Sequence, residues 1–373
     1  MNIIDVTGST KDTVNFKLKT LIYGMQYNNE QSLFIVSDSA IALKIITTGW
    51  FAKDNSQYHY YYAHFTQKYF DTYGRDGKDI PNYLSNNIVF SENKKYCFVG
   101  GLQDGYLIYF HTSNLIPLII NTEIFNKDKN VISALTLVEQ YMNNNYLVCG
   151  DTFGNIILFI IISDYCKETP SNRQGGSVVI NGDNVFKEVK KISGHYREIS
   201  SLCVNSTKDI LVTAGEDYCI NLFSFPDLRI LKSIKYSYNT SFVHIFNYPY
   251  PSLITFANKK NSYHEGTLRL LTLNGKEVKS HEISKFNHPK CVELYGSKDN
   301  ISKIIYQSDH QTISICNIDK IESPIKSKSF NGTNNVSYEI GFSKDKNSID
   351  MHTLFGVRIS SKGLFDIEKL SNS

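Results

Sequence analysis

One pattern recurs along the chain and limits its fold more than any other: an apolar run ending in a small residue, a turn holding Gly or Asp, then a strand of alternating apolar residues. It occurs seven times, as SLFIVSDSAIALKII from Ser32, YCFVGGLQDGYLIYF from Tyr96, YLVCGDTFGNIILFI from Tyr146, ILVTAGEDYCINLFSF from Ile210, SLITFANKKNSYHEGTLRLLTL from Ser252, SKIIYQSDHQTISICNI from Ser302 and SIDMHTLFGVRIS from Ser348. The first and last copies match least well. Most copies follow a further apolar strand, as in SNNIVFSENKK, NVISALTLVEQ, EISSLCVNSTKD and VSYEIGFSKDK. The 25 Tyr and 22 Phe, with abundant Ile and Val and few stretches of helical spacing, agree with an all-β chain.

A unit of this kind has two apolar faces and cannot bury both without a neighbour on each side; radial closure supplies those neighbours. The expected architecture is a single seven-bladed β-propeller over residues 1–373. Seven units in 373 residues leave more per unit than the ~40–45 residues usual for such a blade. The excess is placed in two insertions, near 49–84 and near 164–188, the second a surface loop rich in Gly, Ser, Asn and Pro. The last unit lacks a fourth strand, which residues near the N-terminus are expected to supply.

The stretch KISGHYREISSLCVNSTKDILVTAGEDYCINLFSF, from Lys191 to Phe225, resembles a WD repeat position by position. It has the Gly194–His195 pair, the hydroxyl residue Thr213 before the turn, Asp217 in the turn, and Phe223 where that family places Trp. The resemblance implies a buried hydrogen-bonded chain from His195 to Asp217 and Thr213, with Phe223 closing it by packing because it lacks an indole N–H. Other units are degenerate: the second has Asp104 and Phe110, the third shows Phe153 at the Asp position, and the fifth offers Glu265.

Read in order, the local matches from Leu21 to Ser361, including SLFIVSDSAIALK, NNIVFSENKKYCFVGGLQDGYLIYF and LLTLNGKEVKSHEI, also resemble the C-terminal propeller of BEACH-domain trafficking proteins, the neurobeachin and lysosomal-trafficking-regulator group. That resemblance implies a non-catalytic scaffold in vesicle or lysosome-related traffic, cytoplasmic and peripheral to membranes only through partners or upstream domains. The PH-like and BEACH domains of that group are absent from this sequence.

The charge balance of 39 basic and 36 acidic residues offers no broad field for a phosphate backbone, so nucleic acid is not an expected partner. Seven dispersed cysteines, never spaced C-x-x-C, suit reduced thiols better than disulfides or zinc. The N-terminal MNIIDVTGSTKDTVNFK has no apolar block of signal-peptide length, and a cytoplasmic location is expected. No nucleophile elbow, P-loop or HExxH occurs, so no catalytic residue, cofactor or metal is assigned. His59 and His64 are five apart, which fits neither a strand face nor a helix face. Tyr58, Tyr60, Tyr61 and Tyr62 are candidate partner contacts, since Tyr supplies rigid amphipathic area, although packing of the insertion against the propeller wall is the favoured explanation. The lysines of DKIESPIKSKSF read as a solvated loop. The expected partners are proteins or peptides, bound by a monomeric disc. Its rivals are a generic WD-repeat adaptor in another cytosolic complex, a propeller enzyme with carboxylates or histidines converging on the channel, and a phosphoinositide-binding propeller. Against the last stands the absence of adjacent arginines.

Overall fold

The computed structural model describes residues 2–4, 10–13, 22–28, 32–37, 42–48, 57–63, 88–91, 96–100, 107–111, 117–121, 131–162, 178–237, 239–247, 250–258, 266–283, 292–297, 300–309, 312–322, 326–329, 337–344, 352–359 and 365–372, with side-chain detail concentrated between 131 and 283. Among them the chain forms seven sheets and no α-helix.

The first sheet pairs Ile22–Asn28, Ser32–Ser37, Ala42–Thr48 and Gln57–Ala63; the second pairs Ile88–Phe90, Tyr96–Val99, Leu107–His111 and Pro117–Asn121. The third holds Ile132–Tyr141, Asn144–Asp151, Asn155–Ile161 and Phe186–Ser193, and the fourth Ile199–Asn205, Ile210–Gly215, Cys219–Ser224 and Ile230–Lys235. Thr240–Phe246, Ser252–Asn258, Gly266–Thr272 and Glu277–Ile283 make the fifth; Val292–Ser297, Asn300–Asp309, Thr312–Asn317 and Lys326–Ser329 the sixth. The last contains Ser337–Lys344, His352–Ile359 and Phe365–Asn372. Pairing within each of these runs is antiparallel between sequence neighbours, which short turns permit.

Strand alternation explains why the sheets need one another. In the third sheet Leu147, Cys149, Ile157 and Phe159 pack with Phe98, Leu107 and Ile120 of the second, while Tyr146, Val148, Ile156 and Leu158 pack with Leu211 and Phe223 of the fourth. The fourth sheet repeats the division: its Val212, Ala214, Ile220 and Leu222 meet Val243, Ile245, Leu253 and Leu271 of the fifth. Phe246, Ile254, Phe256 and Leu268 then join Ile304 and Cys316 of the sixth. Each Val, Leu, Ile or Phe among them contributes about 1.5–3 kcal/mol by leaving water, a gain that one sheet alone realises on neither face. The outer strands Phe186–Ser193 and Ile230–Lys235 are exposed along most of their length.

The small residue ending each apolar run has a steric cause. A Cβ on Gly100 would lie 2.9 Å from Ile132 Cγ2, and one on Gly150 2.8 Å from Ile199 Cγ2, so the first strand of each following sheet presses on that position. At the same height the first strands bulge, between Ile132 and Ala134, Ile199 and Ser201, and Thr240 and Phe242. The extra residue is Ser133, Ser200 and Ser241 in turn. Ser133 Oγ donates to Ile199 O at 2.6 Å and Ser200 Oγ to Thr240 O at 2.5 Å, tying consecutive sheets together.

Four sequence expectations change. Lys326 and Lys328, read as part of a solvated loop, lie on Lys326–Ser329, the fourth strand of the sixth sheet. Gln57–Ala63, which holds Tyr58, Tyr60, Tyr61 and Tyr62 and was assigned to an insertion, pairs with Ala42–Thr48 as the fourth strand of the first sheet. Its alternating β-formers were read as extra chain because no turn signal separates them from the preceding polar stretch. Within the expected loop near 164–188, the β-branched run Val178–Asn181 adds a parallel fifth strand to Pro117–Asn121. SIDMHTLFGVRIS contributes one strand, His352–Ile359, and Phe365–Asn372 is the third of that sheet. Asn2–Ile4 pairs with Phe365–Asn372 as the N-terminal closure requires, in parallel register from Asn2 against Asp366, and Thr10–Thr13 extends the sheet further.

Candidate functional site: the linked turns of the third and fourth sheets

The connection from the third sheet to the fourth, residues 194–198, sits between two hairpin turns. Asp151 opens the first turn, its Oδ1 accepting from Phe153 N–H at 2.9 Å and Asn155 N–H at 2.8 Å. Its Oδ2 accepts from Asn155 Nδ2 at 2.8 Å. Gly154, at φ 84°, presents its carbonyl to Gly194 N–H and His195 N–H at 2.9 and 3.0 Å. The left-handed φ needs Gly, and a Cβ there would lie 2.2 Å from His195 O. The sequence reading put Phe153 at the Asp position of this turn. The carboxylate is Asp151 two residues earlier, and the Asx-turn signal D-x-x-G marks it.

In the second turn His195 Nδ1 lies 2.9 Å from Asp217 Oδ1, and His195 Nε2 lies 2.8 Å from Thr213 Oγ1. A carboxylate only accepts, so Nδ1 carries the proton and Thr213 O–H donates to Nε2. Burial pushes the His195 imidazole below its ordinary pKa, against the pull of Asp217. Burial alone would raise the Asp217 carboxyl, yet hydrogen bonds from Tyr196 N–H, the His195 ring and Cys219 N–H hold it below its ordinary range. Tyr196 N–H and Cys219 N–H reach it at 3.0 and 3.1 Å. Gly215 is required beside the ring, because a Cβ would stand 2.4 Å from His195 Nδ1. Asn221 Nδ2 donates to Gly194 O at 2.7 Å. Phe223 is buried with Leu211 and Phe225 and lies 3.5 Å from where a Cβ on Gly194 would sit. Both ring nitrogens of His195 are thus engaged by side chains, and both carboxylate oxygens of Asp217 fix backbone N–H groups, so the pair holds the turn together.

What these pinned turns raise into water is aromatic. Phe153 is 60% exposed, Tyr196 95% and Tyr218 40%, all at the same end of adjacent sheets. Tyr196 follows the clamped His195, and Tyr218, at φ 63°, is locked by bonds from its N–H to Gly215 O and from Tyr236 N–H to its own carbonyl. Sequence reasoning missed this group because single aromatics in turns have no motif. The side chains of Tyr58, Tyr60, Tyr61, Tyr62 and Phe110, and the whole of Asp104 and Glu265, lie outside the described residues. Among the described residues no group of three or more His, Cys, Asp or Glu side chains is placed to hold a metal ion, and no helix is long and apolar enough to cross a membrane.

Solved structures that resemble this chain include the following two. A chain of a crystal structure of the mitotic checkpoint complex superposes with a TM-score of 0.58 at 11% identity, over 98% of both chains. The WD40 β-propeller domain of Doa1 superposes with a TM-score of 0.55 at 12% identity, over 93% of this chain and 92% of that one. No family model and no curated protein matches the sequence. At these identities the likeness concerns fold alone, and together with four-stranded antiparallel sheets packed in sequence order it gives the chain the fold of a WD40-type β-propeller.

Proposed function

We propose that this chain is a non-catalytic protein-interaction scaffold whose contact face includes Phe153, Tyr196 and Tyr218. The observation that carries the reading is the pairing of exposed aromatic rings with immobile backbone: Tyr196 is 95% exposed while its N–H is fixed on Asp217. Rigid aromatic anchors lose little entropy on binding and dominate interface energies. The test is affinity capture from a cell lysate by the wild-type chain and by a Phe153→Ala/Tyr196→Ala/Tyr218→Ala variant with the same melting temperature. Loss of the same set of proteins from the variant supports the face, and identical capture by both rejects it.

The whole chain is read as one seven-bladed ring, a monomer in solution. Support comes from the seven sheets, from the N-terminal strand on the last of them, and from the approach of Ser337–Lys344 to Ile22–Asn28 of the first. Cryo-electron microscopy or crystallography showing an open arc would end that reading. The narrower role, cytoplasmic and in vesicle or lysosome-related traffic beside BEACH-type proteins, rests on the ordered local similarity from Leu21 to Ser361. Endogenous tagging tests it: a signal at endosomal or lysosome-related membranes supports the role, and one wholly in another compartment removes it.

A further inference from the structure

The first strands of the fourth and fifth sheets, Ile199–Asn205 and Thr240–Phe246, are stitched by polar groups along their length. Ser200 Oγ donates to Thr240 O, Val243 N–H to Ser201 Oγ at 3.2 Å, and Asn205 Nδ2 to Asn247 Oδ1 at 3.0 Å. Between these, Cys203 Sγ lies 3.1 Å from His244 Nδ1 and 4.0 Å from His244 Nε2. Serine and asparagine complete their task as hydrogen bonds between sheets. A thiol facing an imidazole can do more, because the imidazole can take the thiol proton and leave a nucleophile.

Two further observations set this pair apart. Among the described residues the His244 ring has no hydrogen-bonding partner except Cys203, so a costly buried imidazole is directed at one sulfur. Cys203, like Cys219, is only partly covered, whereas Cys97, Cys149 and Cys316 are buried. We propose that Cys203 is a modification site: a thiol activated by His244 for attack on soft electrophiles, hydroperoxides in particular.

In that step the Sγ–H proton passes to His244 Nδ1 while sulfur attacks the distal oxygen of the hydroperoxide. An S–O bond forms and the O–O bond breaks. Sulfur is oxidised by two electrons to the sulfenic acid, and the hydroperoxide is reduced to an alkoxide that takes the proton back from His244 and leaves as the alcohol. Burial lowers the His244 imidazole to about 4, so the ring is unprotonated at neutral pH and, as a weak base, holds the proton only in passing from Sγ to the departing alkoxide. The competing thiols are disfavoured: burial pushes Cys97 and Cys149 well up, takes Cys316 to about 12, and raises Cys219, to which the Asp217 charge adds. Cys166 and Cys291 lie outside the described residues.

The test is brief iodoacetamide labelling of the native full chain at neutral pH, read for each cysteine by peptide mass spectrometry. Cys203 is expected to react about tenfold faster than Cys97, Cys149, Cys219 and Cys316, and His244→Gln to cut the Cys203 rate by a similar factor. Hydrogen peroxide followed by dimedone should mark Cys203, and Cys203→Ser should remove that mark. The proposal fails if Cys203 labels no faster than Cys219 in the wild type, or if a folded His244→Gln chain keeps the wild-type rate. The first comparison needs no variant, so a His244→Gln chain that does not fold leaves the proposal open to refutation.

Discussion

The fourth and fifth sheets solve one problem with different chemistry. In each, the incoming connection must be tied to the third strand, at positions set by the shared register of Thr213 against Asn221 and Thr255 against Arg269. The fourth sheet uses neutral and charge-assisted hydrogen bonds: Asn221 reaches Gly194 O, and His195 spans Thr213 and Asp217. In the fifth, Arg269 Nε meets Glu277 Oε2 at 3.2 Å and its guanidinium lies 6.0 Å from the centre of the Tyr236 ring. Tyr236 O–H in turn donates to Gly275 O at 3.2 Å. Beside that pair Phe256 fills the space next to Gly266, where a Cβ would lie 2.1 Å from Phe256 Cζ. The repeat therefore conserves geometry within one chain and leaves the chemistry of each junction open.

Glycine replacement should give the largest effect and strike both sheets alike. Gly215→Ala places its Cβ against a ring held on both nitrogens, and Gly266→Ala meets a buried Phe, so each should cost about 3 kcal/mol in urea unfolding, the upper end of overpacking. Adding His195→Ala to Gly215→Ala should recover part of that loss; strict additivity would mean the ring is free to move.

Acid should act first at the junction of the two sheets, where His244 of the fifth faces Cys203 of the fourth. His244, at about 4 in the fold, contributes stability that is present above its unfolded pKa near 6.5 and is lost as pH falls toward 4, on the order of 3 kcal/mol in all. His195, lowered from its ordinary value, acts in the same window, whereas Asp217, lowered from 3.8, adds its loss only below about pH 4. Urea midpoints measured from pH 7 to pH 4 should drop, with amide exchange accelerating in Ile199–Asn205 before Gly266–Thr272; a flat profile would contradict the buried imidazoles.

Removing single partners should show a smaller contrast. His195→Ala or Asp217→Ala should cost about 1–3 kcal/mol by orphaning a buried group. Arg269→Met should cost about 1 kcal/mol or less, because Glu277 is 46% exposed and regains water. An equal or larger loss at Arg269 would reverse the ranking. Tyr196→Ala marks the floor: at 95% exposure it should change stability by less than about 0.5 kcal/mol while weakening partner capture.

The contrast also explains what could be read in advance. The fourth sheet announces itself because His195, Thr213 and Asp217 lie in one short segment at fixed spacing, so one local motif encodes the clasp. Arg269 on a strand of TLRLLTL carries no such mark, since its meaning depends on Glu277 across a register and Tyr236 from another connection. Asp151 was legible through the D-x-x-G turn but was displaced by matching the wrong residue to the repeat. The bulge serines Ser133, Ser200 and Ser241 sit in ISA, ISS and TSF, yet alternation by two hides an inserted residue until pairing is known. Val178–Asn181 was beyond reach because its partner, Pro117–Asn121, lies 60 residues away and parallel pairing leaves no turn signature.

A double-mutant cycle on His195 and Asp217 tests the central claim, that this pair is a structural clasp beneath a binding face. Urea unfolding of the wild type, His195→Ala, Asp217→Ala and the double variant should give a coupling energy of about 1–2 kcal/mol, with partner capture weakened but not abolished in every variant that remains folded. Strictly additive losses, or capture abolished in a variant that melts like the wild type, would contradict it.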